Sequence, residues 1–177
     1  MQDAEIEPPN WGVEGRGNIA DYDSLGYVPF DADYSHGRYD ISHRTVSRSI
    51  EYAHNDFSIA LFARKQGNRA LYEKYIARAG WWRNLWMAEA MEPRTGQLGF
   101  FQPRYRNGTW AVTSGHNCQT CLVGLPGRDG EFYEESAWSY SWFVPHDYAA
   151  LIDLVGGKEN FTHRLGISVP FSGEMGD

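Results

Sequence analysis

Between Thr45 and about Gln66 the apolar residues Val46, Ile50, Ala53, Phe57, Ala60 and Leu61 recur at helical spacing, and Gly67 stands where a helix would stop. This predicts a long amphipathic helix. Asn68 is a suitable N-cap for a second, in which Leu71, Tyr75, Ala79, Trp82 and Trp86 form one stripe with Tyr72 and Ile76 beside it. The short link around Gly67 forces the two into an antiparallel hairpin, the repeating unit of helical bundles and toroids. Gly99 to Val112 then alternates bulky and polar residues around Asn107-Gly108, which predicts a β-hairpin excursion.

A third helix is expected from Glu134 to about Phe143. A fourth should open at Pro145 and carry Leu151, Ile152, Leu154 and Val155 to a stop at Gly156-Gly157, followed by a short helix with Phe161 and Leu165. The residues up to about Tyr39 are rich in Gly, Pro, Asp and Tyr and read as loop, with one helical turn near Ile19 to Leu25. The fold class expected is all-α, a segment of helical hairpins with a short β-hairpin, in a single domain over 177 residues.

Charge narrows the function. A formal net charge of -7 argues against nucleic acid and anionic membranes as partners, because such affinity rests on Lys and Arg. No apolar run approaches the roughly 18 residues of a membrane span, and the opening MQDAEIEPPN has no export-signal pattern. Cys118 and Cys121, in HNCQTC, lack the four ligands of a structural zinc site and the strand-helix setting of a redox pair; a structural loop is the simpler reading. Asn107-Gly108-Thr109 and Asn160-Phe161-Thr162 are glycosylation sequons in a secretory context.

Candidate chemistry gathers in two places. On the first helix Arg48, Glu51, Tyr52, Asn55 and Asp56 share one face, either a solvated surface or the wall of a polar cavity. Its mixture of an aromatic, an amide and charges without lysine suits a cavity. The stretch FYEESAWSYSWFVPHD, Phe132 to Asp147, sets Glu134 and Glu135 among Trp138, Tyr140, Trp142 and Phe143. Acids at a helix start favour the macrodipole without any function. In apolar company, however, desolvation disfavours the charged form and suits a carboxyl to general-acid work. His146 and Asp147 stand equally well as caps of the fourth helix or as site residues. No GxSxG elbow, P-loop or dinucleotide fingerprint is present.

These segments resemble the alpha-mannosidases of glycoside hydrolase family 92, in particular fungal-type members. TVSRSIEYAHNDFSIALFARKQGN, Thr45 to Asn68, is similar to that family's SVSRTLEYAYDDF helix. EESAWSYSWFVPHDYAALIDLVGGKENF, Glu134 to Phe161, is similar to its EGNAWQYSWFVPHDV and LMGGKE block. WGVEGRG, Trp11 to Gly17, and Gly26-Tyr27-Val28-Pro29 also look like segments that precede the first of these.

The resemblance implies a calcium-dependent, inverting exo-mannosidase acting on alpha-linked mannose of N-glycans and mannans, with a β-sandwich preceding an (α/α)6 toroid. It implies Glu134 as general acid, and Arg48, Glu51, Asp56, Ser136, Trp138, His146 and Asp147 as substrate-binding. Glu135, Ser136 and Ser139 depart from the family's Gly, Asn and Gln. Residues 1–177 are therefore expected to be a partial catalytic domain, an incomplete (α/α)6 toroid inactive alone. The general base and most calcium ligands would then lie elsewhere in a secreted parent enzyme, with no metal ligand expected within this chain. The other class of function in view is a non-catalytic carbohydrate-binding protein derived from the same fold.

Overall fold

A computed structural model describes residues 4–6, 15–32, 44–93, 95–111, 130–133 and 136–168. Cys118, Cys121, Glu134 and Glu135 lie outside these residues. The described chain is helix-rich with one two-stranded sheet, the portion of a helical toroid that the sequence predicts.

Helix α1 spans Ile19–Leu25 and closes on Gly26, whose φ of 76° gives the left-handed C-cap. Helix α2 spans Thr45–Lys65 and α3 spans Arg69–Arg78. Between them Gly67 adopts φ 71°, and Asn68 N–H reaches back to Ala63 O at 3.0 Å, so the chain reverses in three residues. Asn68 then accepts from Leu71 N–H at 3.1 Å and caps α3 as expected. Buried Ala60 and Tyr75, with Leu71, Tyr72 and Ile76, zip the two helices together. Leu61, counted in the apolar stripe, is instead 39% exposed.

The predicted second helix runs too long. It ends at Arg78, and a 3₁₀ turn over Trp81–Leu85 leads into strand β1, Trp86–Met91. Tyr75, Ala79, Trp82 and Trp86 are all buried, so the stripe is real although the backbone beneath it changes. Trp86 takes an extended conformation because β1 pairs antiparallel with β2, Leu98–Phe101, in the register Trp86↔Phe101 and Met87↔Phe100. Its indole packs edge-on to Phe101 at 5.2 Å and lies across Gly99, where a Cβ would stand 2.7 Å from the ring. Strand β2 thus pairs backwards with β1. The Asn107-Gly108 turn is closed by one bridge, Arg104↔Trp110.

Three short helices complete the described fold: α4, Ala137–Tyr140, α5, Tyr148–Leu154, and α6, Lys158–Ser168. Ser136 caps α4 by accepting from Ser139 N–H at 3.3 Å. Pro145 does not open α5, which begins three residues later; Asp147 holds the N-cap position with no side-chain capping bond. Its carboxylate pairs with Arg83 instead. One apolar core joins α2, the sheet, α4 and α5 through Val46, Ile50, Trp82, Phe100, Trp138 and Leu151. No helix among the described residues is long and apolar enough to cross a membrane.

Candidate active site

The polar face of α2 faces two environments. Toward the helix middle Asp56 is fully buried, accepting from Arg16 Nη1 at 2.7 Å, Arg78 Nε at 3.0 Å and the Tyr22 hydroxyl at 3.1 Å. Burial pushes this carboxyl above the ordinary carboxylate range, and the two guanidiniums oppose the shift. Burial beside the Asp56 charge likewise raises the Tyr22 phenol. Asp56 therefore ties α2 to α3 and to the segment before α1. It is not among the residues that line the cleft described below.

Arg16 carries the network toward the helix start. Its Nη2 donates to Tyr52 O at 3.3 Å, and its guanidinium lies 4.9 Å from the Tyr52 ring centroid. The next residue, Gly17, donates its N–H to the Tyr52 hydroxyl at 3.0 Å. Arg48 then clamps the same segment, with Nη2 at 2.8 Å from Gly17 O and 2.7 Å from Asn18 Oδ1. A buried ion pair two helical turns away thus sets the direction of the Arg48 fork.

A second segment is fastened to the beginning of α2. The Glu131 carboxylate accepts from Thr45 N–H at 3.0 Å and from the Thr45 hydroxyl, while Val46 N–H and Ser47 N–H both donate to Glu131 O at 3.2 Å. These bonds satisfy the orphan donors of the first turn with a charge favoured by the helix dipole. Thr45 is buried and Arg44, at the N-cap position, makes no side-chain capping bond; the acid arrives from 86 positions away. Tyr133 N–H in turn donates to Ser47 Oγ at 3.1 Å.

Between the two fastened segments lies an open cleft of about 220 Å³. Ser47, Arg48, Glu51 and Tyr52 form its floor, Gly15 one side, and Arg44 with Tyr133 the other. The Arg44 guanidinium stacks 4.1 Å from the Tyr133 ring centroid. Glu51 is aimed by the Tyr140 hydroxyl, which donates to its Oε1 at 3.0 Å. The floor is thereby tied to α4, the helix that follows Glu134 and Glu135 in the chain. The cleft offers guanidinium donors, one carboxylate acceptor and an aromatic face, the groups that recognise a polyhydroxylated ligand.

Of the expected substrate-binding residues, Arg48 and Glu51 line this cleft. Ser136 is the α4 cap. Trp138 is 7% exposed and packs on Phe100 at 5.4 Å. With Phe100, Trp86 and Trp142 it surrounds the buried Arg164 guanidinium, which donates to Gly99 O at 2.7 Å. These rings cage an arginine that locks α6 onto β2. His146 stacks on His54 at 5.6 Å and donates from Nε2 to Ala79 O at 2.9 Å, and burial lowers its pKa. Asp147 is paired with Arg83, so neither residue lines the cleft.

Tyr133 falls inside the stretch singled out from the sequence, whereas Arg44 had no sequence signal, because it precedes the helix and its backbone state is invisible in composition. Arg44 adopts φ 48°, the left-handed region that costs a non-glycine residue about 1–2 kcal/mol. Arg44→Gly should therefore leave stability unchanged or raise it by up to about 1 kcal/mol, read as the urea midpoint of tryptophan fluorescence. A clear drop in that midpoint would show the side chain, with its stack on Tyr133, to be structural.

Calcium takes six to eight oxygen ligands. Among the described residues no group of three or more Asp, Glu, His or Cys could hold a metal ion.

Comparison with known proteins agrees with this architecture. An uncharacterized secreted glycosidase of Arthroderma benhamiae is 40% identical over 171 residues, covering 93% of this chain and 22% of the relative. The solved Family GH92 inverting mannosidase of Bacteroides thetaiotaomicron superposes with TM-score 0.71 at 27% identity, covering 93% of this chain and 19% of that one. A family GH92 alpha-mannosidase of the same bacterium, solved with mannoimidazole, gives TM-score 0.62 at 29% identity over 85% of this chain and 17% of that one. The chain thus spans about a fifth of the length of the relatives it matches. Residues 1–173 match the glycosyl hydrolase family 92 catalytic domain, and the chain belongs to that family.

Proposed function

We propose that these residues form part of the catalytic domain of a longer, secreted alpha-mannosidase that removes terminal alpha-1,2-linked mannose from N-glycans or mannans with inversion. The observation that supports the reading is the cleft of Arg48, Glu51 and Tyr133, the last of which immediately precedes Glu134 in the sequence. At about 220 Å³ it is smaller than the roughly 300–1,000 Å³ of ordinary small-molecule pockets, a volume that accommodates a single sugar ring.

Glu134 is assigned as the general acid. Its carboxyl delivers a proton to the glycosidic oxygen as the bond from C1 to that oxygen breaks, while water attacks C1 from the opposite face. Arg48 donates to sugar hydroxyls and Glu51 accepts from them, its carboxylate pre-aimed by Tyr140. The second carboxylate, which activates the water, is assigned to another part of the longer polypeptide. Calcium is assigned there as well.

The reading is tested by assaying the 177-residue chain and the longer polypeptide on alpha-1,2-mannobiose with calcium present. Mannose release by the longer polypeptide alone is expected. Equal turnover by the short chain would overturn the placement of the base, and no release by either would overturn the activity.

A further inference from the structure

Two Asn-X-Thr sequences occur in the described residues, and the fold treats them differently. Asn107 sits at the tip of the turn after β2, where Gly108 takes φ 86°. Its Oδ1 accepts from Thr109 N–H at 2.9 Å and from the Thr109 hydroxyl at 2.7 Å, and both residues are exposed. Its amide nitrogen makes no hydrogen bond among the described residues. The turn is braced from beneath: Arg106 N–H donates to Asp31 Oδ1 at 2.8 Å, and its guanidinium holds both carboxylate oxygens of Asp21. Asn107 therefore presents a free amide on a rigid, outward loop.

Asn160 is engaged. Its Nδ2 donates to Gly156 O at 3.2 Å and lies so close to Gly156 that a Cβ there would stand 2.6 Å from it. The Thr162 hydroxyl is turned to Lys158 O at 2.9 Å, away from Asn160. The middle residue, Phe161, packs edge-on against Trp142 at 5.2 Å, which fixes the segment in α6. A sugar on this nitrogen would compete with the contact that joins α5 to α6.

We propose that Asn107 is the N-glycosylated residue of the folded, exported protein and that Asn160 is left bare. The modification forms a bond from Asn107 Nδ2 to C1 of the first sugar of a polyprenyl-pyrophosphate-linked oligosaccharide. The bond from C1 to the pyrophosphate oxygen breaks, the polyprenyl pyrophosphate departs with the electron pair, and the amide proton passes to a base of the transferring enzyme. No oxidant or reductant is needed. The proposal rests on the reading of a secreted parent.

The test fuses the chain to a secretory leader in a yeast host. Both secreted and retained material are treated with an amidase that converts glycosylated Asn to Asp, and the peptides carrying residues 107 and 160 are weighed. Expected are conversion at Asn107 in most molecules, no conversion at Asn160 in the secreted fraction, and complete loss of the amidase-sensitive gel shift in Asn107→Gln and in Thr109→Ala. An unmodified Asn107, or a glycan on Asn160 of the secreted protein, would overturn it. Export is judged separately by whether the native protein appears in its source's culture medium. Absence there would refute the secretory reading while the fusion still decides the acceptor.

Discussion

In the longer polypeptide, Glu134→Gln is expected to lower kcat about a hundredfold to ten-thousandfold, the usual contribution of a positioned general acid. The loss should be smallest for mannosides whose leaving group needs no proton, such as dinitrophenyl mannoside, because the amide fails only in protonating the departing oxygen. Glu135→Gln should leave kcat within a few-fold, its neighbour holding the acid role. The measurement is kcat on alpha-1,2-mannobiose and on the activated mannoside for both variants. A uniform loss on both substrates would assign Glu134 to binding rather than proton transfer, and an intact rate would remove it from the mechanism.

The second large effect lies outside the cleft. Asp56→Asn removes the charge that neutralises Arg16 and Arg78, and breaking such a buried pair typically costs about 3–5 kcal/mol. Arg78 keeps Asp23 at 2.9 Å as a second acidic partner, so the uncompensated charge falls mainly on Arg16, which is 5% exposed. The expected result is a large drop in the urea midpoint together with a raised KM, because Arg16 positions Gly17 and Gly17 positions Arg48. Pairing Asp56→Leu with Arg16→Met should recover part of the stability without restoring KM. An unchanged midpoint in Asp56→Asn would contradict the keystone role.

Helix α2 and its hairpin to α3 are legible in the sequence because periodicity, the Asn68 cap and Gly67 all point one way. Trp86 misled the pattern: at helical spacing it extends the α3 stripe, yet pairing with Phe101 and packing over Gly99 place it in a strand. The cleft was half legible. Arg48 and Glu51 follow from the polar face of α2, but face alone cannot separate them from Asp56 one or two turns on, which tertiary contacts with Arg16 and Arg78 enclose. Glu131 capping α2 and Tyr133 lining the cleft depend on a contact between distant segments that no local spacing encodes. The density of aromatics around Trp138 is legible in the sequence, but their packing around Arg164 is not, because that arginine comes from a later helix.

The central claim is that the parent enzyme cleaves alpha-mannosides in a single displacement with Glu134 as acid. Proton NMR of the first minutes of alpha-1,2-mannobiose hydrolysis by the longer polypeptide tests it most directly. The β-anomer of mannose should appear first and mutarotate to the equilibrium mixture. First appearance of the α-anomer would contradict the account.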